Sequence, residues 1–383
     1  MKKLFQLILL IISFSCTKEK PVIQGSLEDF AKETFVIHRD ERTGYIGIQG
    51  VINQEGKPLI SAYWNYKFSF FDPKTGQKSH EIEIPKEGPL SIRGGLPQEA
   101  QGFDDFFILL GRLNDLQFRK GNEILNSTLL NFDTLGINLQ NSMSSHKQKI
   151  TEISHGIFEI SNNPFDLMAL SNRTIGFDVE NFGAWISQFD QDGNWICISD
   201  FRAPFDESYS ETVDAGDLMR ITSDGVSWTL FPFSDSLYRT ENCQVTQTIT
   251  LESISPIRYF PSKEVSNGAS RTWVRPDDAA INLYLFDDPT TGLKIRFTLL
   301  EKKSGESDFA DPRMSMFSDE KHYLVMIYDL EWKLAAELKM NFGEGTRFEN
   351  IFLMDGYLLI NKPEQKSEDE YEFYKIDLSQ FRN

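Results

Sequence analysis

The sequence predicts an all-β protein, a β-propeller of six or seven four-stranded blades, and three observations predict it. Short runs rich in aromatic and β-branched residues follow one another, one of them, Glu81 to Ile84, with strict apolar–polar alternation. The gaps between them place Asp, Asn or Ser ahead of glycine, the chemistry of tight hairpins. Helical patterns are scarce, so the chain reads as a succession of antiparallel hairpins.

The first element is an address. Lys2-Lys3, a mostly apolar run from Leu4 to Ile12, and Ser13-Phe14-Ser15 precede Cys16. The run is too short to span a bilayer, and a small residue before a lone early cysteine suits cleavage there and acylation of the thiol. Residues 1–15 are therefore read as a lipoprotein signal peptide, 16–32 as a tether beginning at lipidated Cys16, and 33–383 as the propeller domain. The tether carries Lys, Glu, Pro21 and Gly25 with little apolar periodicity. Thr17 behind the cysteine, where Asp would retain a lipoprotein at the inner membrane, favours the outer membrane, facing the periplasm or the cell surface. No later apolar run approaches the roughly 20 residues of a membrane span, so attachment rests on the lipid.

The strands follow from Phe35 onward. Tyr45 to Gln49, Tyr63 to Phe71 and Glu81 to Ile84 read as the first, separated by Asn53-Gln-Glu-Gly56 and Asp72-Pro-Lys-Thr-Gly76. Asp190-Gln-Asp-Gly193, Ser223-Asp-Gly225, Asp287 to Gly292 and Asp355-Gly356 mark later turns. The last segment runs Tyr323 to Asp329, Leu334 to Met340, Asn350 to Met354, Tyr357 to Ile360 and Tyr371 to Ile376, about one four-stranded blade and an extra strand. Phe233 to Arg239 with Val245 to Leu251, and Phe68 to Asp72 with Glu81 to Ile84, repeat the same order of aromatic strand, polar turn and alternating strand. Dividing the mature length by roughly 40 to 60 residues per blade gives six or seven once loops are allowed for. Two stacked β-sandwich domains are the competing architecture.

Composition narrows the partners. With 40% apolar and 13% aromatic residues the chain is long enough for a sizeable core, and its formal net charge of −18 is spread along its length. That charge argues against nucleic acid and against adsorption on anionic lipid. Besides Cys16 only Cys197 and Cys243 occur, each in a strand-like stretch, and two readings stay open for them: a disulfide or buried free thiols.

At Ile82-Glu-Ile-Pro-Lys-Glu-Gly-Pro89, after the Asp72 to Gly76 turn, the chain resembles a family of Bacteroidota lipoproteins catalogued as domain of unknown function 4221. Ser234-Asp-Ser-Leu-Tyr-Arg239 and Leu358-Leu-Ile360 support the resemblance, which extends over nearly the whole mature chain. It implies a propeller related to six-bladed lipoproteins, and no activity. Serine before the lipidated cysteine is also frequent among Bacteroidota lipoproteins.

Catalytic signatures are missing. His38, His80, His146, His155 and His322 are scattered without zinc-ligand spacing, so no metal site is expected, and there is no P-loop, dinucleotide fingerprint or Gly-x-Ser-x-Gly elbow, so no cofactor is expected either. Asp190-Gln-Asp-Gly-Asn194 resembles the opening of a calcium loop but has Phe201 where the bidentate Glu belongs, which favours a plain hairpin turn. Of the six tryptophans most are expected in the core. Trp273 differs in standing between Arg271 and Arg275 in an irregular stretch, so these three are the candidate ligand-binding residues. The expected function is a lipid-anchored cell-envelope module that binds a glycan, a peptide or a partner protein without catalysis. The alternative is a polysaccharide-acting enzyme with paired carboxylates at the propeller mouth.

Overall fold

The computed structural model describes residues 21–40, 47–64, 66–91, 107–110, 115–121, 123–130, 150–162, 182–209, 218–223, 225–267, 270–303, 320–343 and 350–382. The signal peptide and Cys16 lie outside them. The protein is all-β, a propeller-like ring of small antiparallel sheets, with short 3-10 turns as the only helical elements among the described residues.

Five sheets have four or more strands, and each is here called a blade. Blade 1 comprises Gly47–Gln54, Lys57–Trp64, Lys67–Phe71 and Lys78–Glu83, in that spatial order. Blade 2 comprises Thr151–Ser154, Ile157–Ser161, Ile186–Asp190 and Trp195–Ile198, and blade 3 Met219–Ser223, Val226–Leu230, Ser236–Glu241 and Gln244–Thr250. Blade 4 comprises Ile281–Asp288, Leu293–Lys303, Glu320–Tyr328 and Leu334–Phe342, with Ile23–Ser26 added in parallel on its outer edge. Blade 5 takes three strands from the end of the chain, Ile351–Met354, Tyr357–Asn361 and Glu370–Asp377, and its outer strand, Glu33–His38, from the beginning. A three-stranded sheet (Phe107–Leu110, Asp115–Lys120, Glu123–Leu129) and a hairpin (Lys263–Asn267 with Ser270–Val274) complete the described strands.

Two expectations are corrected here. Six or seven four-stranded blades were expected and five are seen among the described residues. The division by a mean blade length missed that the strands of blade 4 are long, one of eleven residues, and that 263–267 and 270–274 form a separate hairpin. The run from Tyr63 to Phe71 is not one strand but two, broken at Tyr66, whose φ of 69° turns the chain and whose N–H donates to the Tyr63 hydroxyl at 3.1 Å. Within the segment expected as tether, Ile23–Ser26 is already paired into blade 4.

The cores lie between neighbouring blades, as a ring requires. Phe35, Ile37, Phe352, Leu359 and Phe373 of blade 5 pack with Ile48, Ile60 and Phe71 of blade 1. Met219, Leu230 and Leu237 of blade 3 pack with Leu285, Leu324 and Met326 of blade 4. Leu27 and Phe381 join the cluster between blades 4 and 5, and Phe30 packs against it with its ring 5.3 Å from that of Phe381. Trp185 is fully buried edge-on between Phe182 and Phe231, as expected of a core tryptophan, whereas Trp64 is half exposed.

The turns behave as their sequences require. The Asp190 carboxylate accepts from the Asp192 and Asn194 backbone N–H groups and from Asn194 Nδ2, at 2.8–3.0 Å, which uses it within a hairpin turn. Those bonds, the Asn194 side chain first, hold its carboxyl below the ordinary range, and the Thr75 and Lys74 N–H groups do the same for Asp72. Cys197 and Cys243 are joined in a disulfide, their Cα atoms 6.0 Å apart, tying the outer strand of blade 2 to the hairpin turn of blade 3.

Gly76 and Gly225 both have positive φ, but a Cβ on Gly76 would lie 1.9 Å from the Val36 carbonyl oxygen, whereas one on Gly225 meets nothing within 4 Å. Gly76→Ala should cost about 3 kcal/mol or more in urea unfolding, because the backbone of Glu33–His38 must give way. Gly225→Ala should cost only the left-handed strain of about 1–2 kcal/mol, and equal losses would refute this account. Cys197→Ser should lower stability by about 2–4 kcal/mol through the freed unfolded chain. Carboxyls held low contribute stability above their unfolded value of 3.8 and lose it as pH falls through the folded one. The melting temperature should therefore be insensitive to these groups at neutral pH and decline below about pH 4.

Candidate functional site

Each blade's first strand is a terminal strand of its sheet, the place of the innermost strand in a propeller blade. Five such strands converge on one cavity of ≈ 430 Å³. Blade 1 contributes Gln49, Gly50 and Val51, blade 2 Thr151, blade 3 Arg220 to Thr222, blade 4 Leu285 to Asp288 with Pro289 and Thr290 of the following turn, and blade 5 Ile351 to Asp355. The lining mixes partly exposed apolar groups, Val51, Ile221, Phe286 and Leu353, with amide, hydroxyl and carboxylate groups. That combination suits a ligand with both faces and hydrogen-bonding edges.

Buried polar contacts fix the wall. Arg220 Nη1 donates to Glu159 Oε1 across the boundary between blades 3 and 2 at 2.8 Å, and Nη2 donates to the Glu159 carbonyl at 3.0 Å. Gln188 Nε2 donates to Glu159 Oε2 at 2.9 Å, and the Ser227 hydroxyl donates to Oε1, so the buried carboxylate is well supplied with donors. Between blades 5 and 1 the Asn350 side chain accepts from the Ile48 N–H at 2.8 Å and donates to the Tyr371 hydroxyl at 2.8 Å.

The carboxylates at the cavity are already engaged in part. Asp287 pairs with Lys294 at 2.9 Å. Asp288 accepts from the Thr291 N–H at 3.1 Å and from its hydroxyl, capping the turn that ends at Gly292. Asp355 occupies a left-handed turn position, φ 49°, beside Gly356. Among the described residues no three His, Cys, Asp or Glu side chains come together as metal ligands, and no helix is long and apolar enough to cross a membrane.

The three residues singled out by sequence stand elsewhere. Residues 270–274 are a regular strand, paired Glu264 opposite Trp273 and Ser266 opposite Arg271, where an irregular stretch was expected. The side chains of Arg271 and Trp273 lie outside the described residues. Arg275, just past the strand, is half-buried and is not among the described residues that line the cavity. Sequence reasoning missed the cavity residues because they are ordinary strand residues. The signal that could have found them is position, since each lies on the strand that opens its blade or in the turn that follows it.

The fold and the axial cavity define a β-propeller-like protein. Its structure is similar to the crystal structure of a member of the duf4221 family from Bacteroides vulgatus, with a TM-score of 0.69 and 14% identity over 90% of this chain and 96% of that one. It is also similar to a Bacteroides fragilis protein described as exported, with a TM-score of 0.51 and 10% identity over 89% and 88% of the two chains. The resemblance first read from Lys86-Glu-Gly-Pro89 thus holds at the level of the fold. No family model and no curated protein matches the sequence.

Arg220→Met leaves Glu159 buried without its cation and should cost about 3–5 kcal/mol in denaturant unfolding. Adding Glu159→Leu in the same chain should recover most of that loss. A double variant as unstable as the single one would mean that the pair itself, and not the orphaned charge, stabilises the blade boundary.

Proposed function

We propose that this chain is an exported, lipid-anchored cell-envelope protein of the duf4221 kind, and that its ring is a non-catalytic binding or accessory module for a glycan, a peptide or a segment of a partner protein. The observation that carries this reading is the axial cavity, lined by residues of five blades that mix apolar and polar groups. The Cys197–Cys243 disulfide supports an oxidising compartment, and the structural likeness to a protein described as exported points the same way. Anchoring rests on the Ser15-Cys16 junction behind its apolar run. In this reading Arg271, Trp273 and Arg275 form a second gripping edge on their hairpin, Trp273 by stacking on a sugar or peptide face.

An enzyme acting on polysaccharide is the second reading, because Asp287, Asp288 and Asp355 all reach the cavity. It is the weaker one. Asp287 is committed to Lys294 and Asp288 to its own turn.

The test is calorimetric titration with envelope-type oligosaccharides and peptides. Val51→Lys and Leu353→Lys, each placing a long cation in the cavity, should weaken binding at least tenfold while leaving the circular dichroism spectrum unchanged. Binding that survives both substitutions would move the site off the axis. Release of reducing ends from a polysaccharide, lost in Asp287→Asn, would replace the binding module with the enzyme.

A further inference from the structure

The axial cavity reaches one face of the ring. Its lining includes Pro289 and Thr290, in the turn between the first two strands of blade 4, and Asp355, in the equivalent turn of blade 5. In an antiparallel four-stranded blade the turn joining strands one and two and the turn joining strands three and four lie at the same end. The turn from Asp329 to Lys333 of blade 4 is therefore on the cavity's face. The packing agrees, since a Cβ placed on Gly292 would lie 3.2 Å from Leu330 Cδ2.

The N-terminal segment enters at that same end. Ile23–Ser26 runs parallel to Leu334–Phe342 with Ile23 opposite Ala336, so the residues before Ile23 stand level with Leu334 and leave the ring beside the 329–333 turn. Only residues 17–22 separate Cys16 from Ile23. A link of that length spans at most about 25 Å even when fully extended.

We propose that the face on which the axial cavity opens is held against the membrane surface by this short tether. The inference rests on the lipid-anchor reading given under Proposed function. The opposite face, which carries the connections between second and third strands such as residues 362–369 of blade 5, points away from the bilayer. Leu330, 67% exposed at the tip of its turn, offers an apolar contact at the point of closest approach. The net charge of −18 makes the surface a neutral one rather than an anionic one. The cavity then samples what the membrane surface presents.

The experiment uses the full-length lipidated protein in phosphatidylcholine vesicles. Glu331 and Glu368, both exposed, stand on the two opposed faces. Glu331→Cys and Glu368→Cys accept a fluorophore without competition, because Cys197 and Cys243 are paired and the Cys16 thiol is acylated. Energy transfer to a headgroup-labelled lipid should be at least twofold stronger from position 331 than from position 368. A flexible insertion of about 20 Gly and Ser residues after Lys20 should erase the difference. Equal or reversed transfer would overturn the orientation, and a difference that survives the insertion would overturn the tether as its cause. Mass spectrometry separates the two layers. A Cys16 without lipid removes the anchor reading and this inference with it, whereas a lipidated chain with reversed transfer removes the orientation alone.

Discussion

The pairing of Glu33–His38 with Glu370–Asp377 is the constraint on which the ring depends. It joins the two ends of the chain in one sheet, in a register that sets Glu33 opposite Lys375 and His38 opposite Glu370. Loop-closure entropy grows only with the logarithm of length, so closing so long a loop costs little more than closing a short one. The return is large, because Phe35 and Ile37 become buried between blades 5 and 1 and Lys375 bonds Glu33 at 2.7 Å. With the ring closed, the first strands face one axis and the cavity exists.

The blade boundaries are fixed by polar contacts as well as by apolar packing. Arg296 of blade 4 is fully buried and donates to Asp235 at 2.5 Å and to Asn282 Oδ1 at 2.9 Å. Burial alone would lower its pKa, but Tyr259, Tyr328 and Asp235 around it raise it, so it stays charged. Burial pushes the Tyr328 phenol up to about 12, which keeps it a donor to the Glu252 carbonyl at 2.9 Å. Glu337 accepts the Ile254 and Ser255 N–H groups at 2.7 and 2.9 Å and so pins the chain that leaves blade 3. Apolar surfaces slide past one another with little penalty. Directional bonds of buried charges do not, and they set how the blades meet.

The same geometry shapes the functional reading. A cavity assembled from the first strands of five blades is lined by side chains of mixed character, the basis of the proposed binding of a ligand with both apolar faces and polar groups. Of the carboxylates at its wall, Asp287 is paired with Lys294 and Asp288 accepts from its own turn. The Cys197–Cys243 bond and the Glu159–Arg220 pair both cross the boundary between blades 2 and 3, one at the rim and the other near the axis.

What the sequence by itself determined was local. The short β-favouring runs Tyr357 to Ile360 and Tyr371 to Ile376, and the Asp-before-Gly turns at 190–193 and 355–356, specify strands and hairpins through neighbours a few residues apart, and the structure has them there. The break at Tyr66 escaped because a tyrosine at positive φ carries no glycine signal. Blade number, the cavity and the disulfide were decided by tertiary structure. Each depends on residues far apart in sequence, such as Ile48 with Asn350 or Cys197 with Cys243, whose proximity exists only after the ring closes. Local propensity acts over a turn or a strand pair, whereas the axis on which Gln49, Arg220 and Leu353 meet is a property of all the blades at once.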